Sequence, residues 1–308
     1  MIASRLAALG AGLAVALLAP LAAQPSPPGG AAPRLLDGRS TSAFRASMRR
    51  VNAALAPKDQ ERLTAALGLL RHMSPSADAV MQRLHGTSAA QVIALGDALR
   101  RQVDDNRDGI VTETELAAAR ADLQTASIEA GEAAAVALLR LLHEAQTRAA
   151  ASAAVDRNDD GVGEFGYFGD LVATEPPLLP PAAFAVRGGV VAARGYYLQT
   201  WLPTATRAAV SEADSGGPGS TTPDPDASAA AWCGYAWPIE RGRSGTRAFF
   251  INQEGTVLVT DNEQQRYGGE RAPEPYAAYP LGTRALGPTA RGDRLRNDGG
   301  TWVPVAGG

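Results

Sequence analysis

The sequence has few of the features that mark several common protein classes. Among its 308 residues there is one cysteine, Cys233, which excludes an internal disulfide. There is also one lysine, Lys58, and the 29 basic and 32 acidic residues leave a formal net charge of −3. Without a basic surplus the chain lacks the phosphate-neutralising surface of a nucleic-acid-binding protein. Aromatic residues make up 6% of the chain, and alanine dominates the apolar residues, which favours helices with small-residue faces.

Catalytic signatures are missing as well. We find no nucleophile elbow, no Ser/His/Asp set and no phosphate-binding loop in the sequence. The three histidines, His72, His85 and His143, lie in separate helical stretches and do not form a metal cluster. Carboxylates are plentiful, but no acid/base pair stands out among them. We therefore predict that the protein is not an enzyme.

The first residues have the pattern of a signal peptide, which we assign to residues 1–23. Arg5 supplies the positive charge, Leu6–Leu18 is a short apolar run, and Ala23 offers a small residue for cleavage. No cysteine stands there to carry a lipid anchor, and no later segment is apolar enough to cross a bilayer. These observations predict a periplasmic or secreted protein without a membrane span after cleavage. Residues 24–40 are rich in Pro, Gly and Ala and are predicted to be a disordered linker.

Residues 41–126 are predicted to form a helical domain. Apolar residues recur at helical spacing in several stripes, and Ser88 with Gln91 is typical of a helix-capping box. The last stripe, Val92 to Val103, leads directly into an acidic loop. A further helical segment, 116–126, follows that loop, with Ser127 as its expected end.

The rest of the chain is predicted to add a β-sheet, which makes the fold class α+β. A long helix is expected over 128–154, and Gly, Pro and aromatic residues become frequent after about residue 165. The predicted strands are Val186–Ala193, Tyr196–Leu202, Trp232–Ile239, Arg247–Asn252 and Thr256–Thr260. Asn252–Gly255 has the pattern of a hairpin turn, and 211–229 that of a long loop. Residues 266–308 are expected to be an irregular tail that wraps the sheet through Tyr276 and Tyr279.

The acidic loop, Asp104–Glu115, carries the clearest chemistry in the sequence. Ca²⁺ takes six to eight oxygen ligands, and a 12-residue loop supplies them from positions 1, 3, 5, 7, 9 and 12. Gly109 stands where the loop must turn with positive φ, and Val111 is the apolar residue that anchors the loop to a core. The predicted ligands are Asp104, Asn106, Asp108, the backbone carbonyl of Ile110, Thr112 and the closing carboxylate of Glu115.

A second acidic loop begins in the same way and then departs from the pattern. Gly163 replaces the apolar anchor, and Tyr167 stands where the closing glutamate belongs. The alternatives are a second calcium site, with Glu164 or Asp170 as substitute ligand, and an Asx-rich turn that binds nothing. The ligands of a second site would be Asp156, Asn158, Asp160 and Glu164.

Two family resemblances follow from these motifs. Residues 88–126 resemble the EF-hand calcium-binding family, which implies Ca²⁺ as cofactor. Residues 127–265 resemble the head domain of type IV pilin-like and pseudopilin-like proteins, through the long helix, Gly195-Tyr-Tyr-Leu-Gln and Ser244-Gly-Thr-Arg-Ala-Phe-Phe-Ile-Asn-Gln-Glu-Gly. That resemblance implies a helix packed on a small antiparallel meander. The long helix departs from the family because no apolar membrane half precedes it.

The sequence thus favours an exported, non-catalytic calcium-binding protein with a structural or interaction role in the cell envelope. Its expected partners are calcium ion and an envelope protein. The alternatives are a pseudopilin-like component or partner of a secretion or surface assembly, and a hydrolase of unrecognised type. A broad substrate screen on the purified protein separates the hydrolase from the other two.

Overall fold

The computed structural model describes residues 35–74, 76–289 and 295–305. The predicted signal peptide and residues 24–34 of the predicted linker lie outside the described residues. The described part of the chain divides into two compact units, with the boundary between Ala126 and Ser127. No helix of the described part is both long and apolar enough to cross a membrane.

The first unit is helical. Its helices are α1 (Thr41–Asn52), α2 (Pro57–Met73), α3 (Ala77–Arg83) and α4 (Ala89–Val103), followed by the start of α5 (Glu113–Ser152). The predicted capping box of Ser88 and Gln91 begins α4. The leucines and valines predicted to lie on the helix stripes form one buried cluster, which includes Leu63, Leu70, Val92, Leu99 and Val103.

The predicted disorder of residues 35–40 is wrong. Leu36 is 1% exposed within the helical core, and its N–H donates to the Thr87 carbonyl at 2.8 Å. Gly38 lies so close to Met81 that a Cβ would be 1.9 Å from the Met81 carbonyl oxygen. The apolar Leu35-Leu36 pair, at the end of a Pro- and Gly-rich run, therefore belongs to the folded unit.

Helix α5 is 40 residues long and continues through Ser127, where we predicted an interruption. A single serine in a helix interior costs well under about 1 kcal/mol, because its propensity is only modestly below that of alanine. The boundary between the two units falls inside this helix.

The second unit is an eight-stranded antiparallel sheet with short helices, which confirms the α+β class. The strands are β1 (Val186–Arg187), β2 (Val190–Ala193), β3 (Tyr196–Pro203), β4 (Ala209–Ser211), β5 (Cys233–Pro238), β6 (Ala248–Asn252), β7 (Leu258–Thr260) and β8 (Val303–Pro304). Their order is β1-β2-β3-β5-β6-β7-β8, with β4 paired to β3. The helices α6 (Phe168–Ala173) and α7 (Pro225–Ala230) lie in the connections.

Several predicted boundaries differ from the structure. The first predicted strand is a hairpin, because Gly188 and Gly189 both adopt positive φ, at 61° and 72°. The predicted loop 211–229 contains α7, whose first residue Pro225 follows the capping side chain of Asp224. The predicted turn at Asn252–Gly255 is confirmed, with φ of 75° at Gly255.

The two faces of the sheet are covered by different parts of the chain. One face packs on α5 through a cluster that includes Leu139, Leu142, Leu198 and Phe249. The other face packs on the C-terminal segment, where Tyr279 is fully buried against Phe250 with ring centroids 5.5 Å apart. The tail therefore covers the sheet, as we expected for Tyr276 and Tyr279, and it adds the edge strand β8.

Candidate functional site

The first acidic loop joins the end of α4 to the start of α5. Asp104 is the C-terminal cap residue of α4 and is 8% exposed, while Glu115 lies in the first turn of α5. The two end ligands of the predicted calcium loop are therefore held by helices. The four ligands between them lie on the exposed turn.

The first half of this loop is folded by its own carboxylate and amide oxygens. Asp104 accepts from the N–H groups of Asp108 at 3.2 Å and Gly109 at 2.8 Å. Asn106 accepts from Asp108 at 2.9 Å, and Asp108 accepts from Ile110 at 2.7 Å. Positive φ at Arg107 (59°) and Gly109 (82°) allows the chain to turn around these oxygens. Three of the predicted ligands thus face the inside of a single turn.

Glu115 closes the loop from the other side with both carboxylate oxygens. Its Oε1 accepts from the N–H of Asp105 at 3.1 Å, and its Oε2 accepts from the N–H and hydroxyl of Thr112, both at 2.8 Å. The hydrogen bonds from the backbone and side chain of Thr112 lower the pKa of Glu115, so this carboxyl is ionised at neutral pH. One carboxylate therefore spans the two ends of the loop.

The remaining loop residues divide between core and solvent. Val111 packs against the helical core, as predicted for the apolar anchor. Ile110 is 65% exposed, which leaves its backbone carbonyl as the predicted contribution.

This donor set fits calcium. The side chains are carboxylates, an amide and a hydroxyl, so every donor is the hard oxygen that Ca²⁺ prefers. A carboxylate that accepts N–H bonds on one side keeps lone pairs for an ion on the other. When bound, calcium would supply the positive charge that offsets the repulsion among the carboxylates of Asp104, Asp108 and Glu115.

The second loop repeats the hydrogen bonds of the first. Asp156 accepts from the N–H groups of Asp160 at 3.3 Å and Gly161 at 2.9 Å, as Asp104 does from Asp108 and Gly109. Positive φ recurs at the corresponding residues Asp159 (56°) and Gly161 (82°). The contacts that Asn106 and Asp108 accept in the first loop recur as Asn158 accepting from the N–H of Asp160 at 3.4 Å and Asp160 accepting from the N–H of Val162 at 2.7 Å.

The second loop is closed by Glu164, but this carboxylate has an arginine partner. Glu164 accepts from the N–H of Arg157 at 2.6 Å, which corresponds to the contact between Asp105 and Glu115. The Arg157 guanidinium also pairs with Glu164, which is 1% exposed, and with Asp170 at 2.6 Å. A permanent cation thus lies beside both carboxylates that we considered as substitute ligands. Calcium at this loop remains a prediction, and the ion pair is the contact it would have to displace.

The departures from the calcium pattern in the second loop have packing causes. A Cβ at Gly163 would lie 2.0 Å from the carbonyl oxygen of Ala150, so no apolar anchor fits there. Tyr167 is fully buried, and its hydroxyl donates to the Val210 carbonyl at 3.1 Å. These residues pack the loop onto α5 and the sheet.

No three His, Cys, Asp or Glu side chains converge as a metal cluster anywhere in the described ranges. This includes Asp104, Asp108 and Glu115 of the first loop, whose three carboxylates do not converge as a preformed cluster. No family model, curated protein or solved structure matches this chain.

Proposed function

We propose that this is a non-catalytic calcium-binding protein that acts outside the cytoplasm, in the cell envelope, and holds one ion at residues 104–115. The observation that carries the proposal is the closure of the loop by both oxygens of Glu115. Without a cation, the repulsion among Asp104, Asp108 and Glu115 opposes this closed geometry. Calcium binding then stabilises the connection between α4 and α5.

The affinity expected for this site is low. Sites in extracellular modules bind with Kd on the order of 10⁻⁴–10⁻³ M, and this loop is solvent-exposed over most of its length. At such an affinity the ion has a structural role and no signalling role.

Isothermal titration with calcium tests the proposal on the purified protein, with Glu115→Gln as the variant. The substitution keeps the side-chain shape but removes the bidentate carboxylate, so we expect at least tenfold weaker binding. The matched control is Glu113→Gln, which removes the same charge from an exposed residue in the same helical turn. Equal weakening in the two variants would indicate diffuse charge attraction and no specific site, and the proposal would fail.

A second candidate function is a component or partner of a secretion or surface assembly. The observation that favours it is the packing of α5 on an antiparallel sheet, the arrangement expected for a pilin-like head. Crosslinking in intact cells, followed by mass spectrometry, should then join residues 127–265 to a protein of such an assembly. Crosslinks confined to other partners would remove this candidate.

A further inference from the structure

The sheet face opposite α5 is only partly covered by the C-terminal segment. The C-terminal segment packs over most of β5, β6 and β7, but a trough of about 820 Å³ remains over β1, β2 and the adjoining parts of β3 and β5. Its floor is a row of side chains in register, because Ala192 pairs with Tyr197 and Tyr197 pairs with Trp237. Its walls are the alanines before β1 on one side and Gly269, Glu270 and Ala272 on the other. This volume lies in the range of about 300–1,000 Å³ that small-molecule sites occupy.

The floor of the trough carries the half-buried ring of Tyr197 beside Trp237, which is 2% exposed, and the trough also has polar groups without a partner among the described residues. The rings of Tyr197 and Trp237 lie 5.8 Å apart, and the Trp237 indole N–H is already used by the Gly269 carbonyl. In the described part of the chain, no side-chain hydrogen bond or ion pair engages the Tyr197 hydroxyl, the Gln199 amide, the Arg187 guanidinium or the Glu270 carboxylate. An apolar ligand would desolvate these four groups without compensation.

The charges of the trough and the pairing of its strands argue against a charged ligand and against an extended peptide. One cation, Arg187, and one anion, Glu270, balance each other, so the trough has no preference for a charged ligand. The backbones of β2 and β3 are paired on both sides, and the edge strand β1 has only two residues, which leaves few main-chain groups for an extended peptide. Guanidinium, amide and carboxylate groups are planar and bind two adjacent hydroxyls at once, while a ring face packs on the C–H side of a sugar.

We propose that this trough binds a neutral glycan segment, with Tyr197 beneath a sugar ring and Arg187, Gln199 and Glu270 on its hydroxyls. The site is separate from the calcium loop and does not depend on the proposed calcium function.

The test is calorimetric titration of the purified protein with chitohexaose, cellohexaose and maltohexaose, in calcium and again in chelator. Hexa-alanine and a hexamer of galacturonate are the peptide and anionic comparisons. We expect at least one neutral hexaose to bind at millimolar concentration or below, in both buffers. Absence of binding to all three, or tighter binding of the peptide or the anion, would overturn the proposal.

Two pairs of variants locate the site. Arg187→Ala and Gln199→Ala should each weaken binding about tenfold, the value of one or two lost hydrogen bonds. Their matched controls, Arg284→Ala and Gln264→Ala, replace exposed residues outside the trough and should leave the affinity unchanged. Tryptophan fluorescence checks that each variant is folded. Equal affinities in the trough and control variants would overturn the assignment of the site.

Discussion

At the scale of single residues, Arg157 decides how the second loop is closed. Its guanidinium pairs with Glu164 and Asp170, and its side chain is 19% exposed. Removing one partner of a buried ion pair is strongly destabilising, because the other charge remains buried without compensation. We expect Arg157→Ala to lower the free energy of unfolding of residues 127–308 by about 3 kcal/mol. The measurement is denaturant unfolding followed by tryptophan fluorescence.

The same variant separates the two interpretations of the second loop. If Arg157 takes the place of a metal ion, millimolar calcium should raise the melting temperature of Arg157→Ala more than that of the natural protein. The matched control is Arg140→Ala, an exposed arginine on α5, for which neither effect is expected. An equal calcium response in all three proteins would show that Arg157 does not substitute for an ion.

The turn of the first loop can be predicted from the sequence, but the role of Arg157 cannot. Most hydrogen bonds of the first loop join residues no more than five positions apart. The sequence pattern Asp-x-Asn-x-Asp-Gly therefore predicts this turn. Arg157 occupies the second loop position, which carries no ligand, so the pattern assigns it no function. Arg157 also contacts Asp170, which lies 13 residues later in the chain, and this contact depends on how α6 packs.

At the scale of secondary structure elements, Glu132 links α5 to the segment before β6 through hydrogen bonds. It accepts from the Thr246 N–H at 3.0 Å and hydroxyl at 2.9 Å, and from the Arg247 N–H at 3.1 Å and Nε at 2.6 Å. Burial acts to raise the pKa of Glu132, but these hydrogen bonds outweigh it and the pKa is lowered. The ionised form is therefore the one that the fold stabilises.

We expect Glu132→Gln to destabilise residues 127–308 by about 2 kcal/mol at pH 7, through the loss of charge-assisted hydrogen bonds. Because the folded-state pKa lies below the ordinary value of 4.5, this stabilisation is complete above pH 4.5 and is lost as the pH falls further. Denaturant unfolding at several pH values measures the difference between the two proteins. Glu129→Gln, on an exposed residue of the same helix, is the control. A difference that stays constant down to pH 3 would contradict the assignment to the carboxylate.

Elements were predictable where their signals are local. The helix stripes, the capping box at Ser88 and the turn at Gly255 all depend on residues a few positions apart. The strands β4 and β8 have only three and two residues, too few to show a period, and β8 pairs with β7, which lies far earlier in the chain. The burial of Leu36 likewise depends on Thr87, about 50 positions later in the chain.

At the scale of the whole molecule, the two units can be followed separately. All four tryptophans, Trp201, Trp232, Trp237 and Trp302, lie in residues 127–308, so their fluorescence reports the unfolding of that unit. Helix content by circular dichroism is dominated by the first unit and α5. Calcium bound only at the first loop should therefore affect the dichroism transition more than the fluorescence transition.

The stability of the sheet unit should depend on pH through His143. This imidazole stacks on Trp232 with centroids 6.4 Å apart, and its Nδ1 is buried without a hydrogen-bond partner among the described residues. Burial lowers the pKa of His143, and Glu144 and the Asn252 carbonyl offset this only in part. The unfolded chain therefore binds a proton more readily than the folded one, and stability falls as the pH drops below the ordinary value of 6.5.

His143→Leu should remove this dependence, because leucine keeps the contact with Trp232 and has no proton to bind. Between pH 7.5 and 5.5 we expect the fluorescence-detected unfolding midpoint of the natural protein to fall relative to that of the variant. Burial raises the pKa of Glu212, and this contribution is the same in both proteins. The pKa of Glu132 is lowered below 4.5, so that residue does not titrate in this range. The control is His72→Gln, in the other unit. It should leave the pH dependence of the fluorescence-detected midpoint unchanged, since it alters no group in residues 127–308. If the midpoints of the natural protein and of His143→Leu changed equally with pH, the assignment to His143 would be wrong.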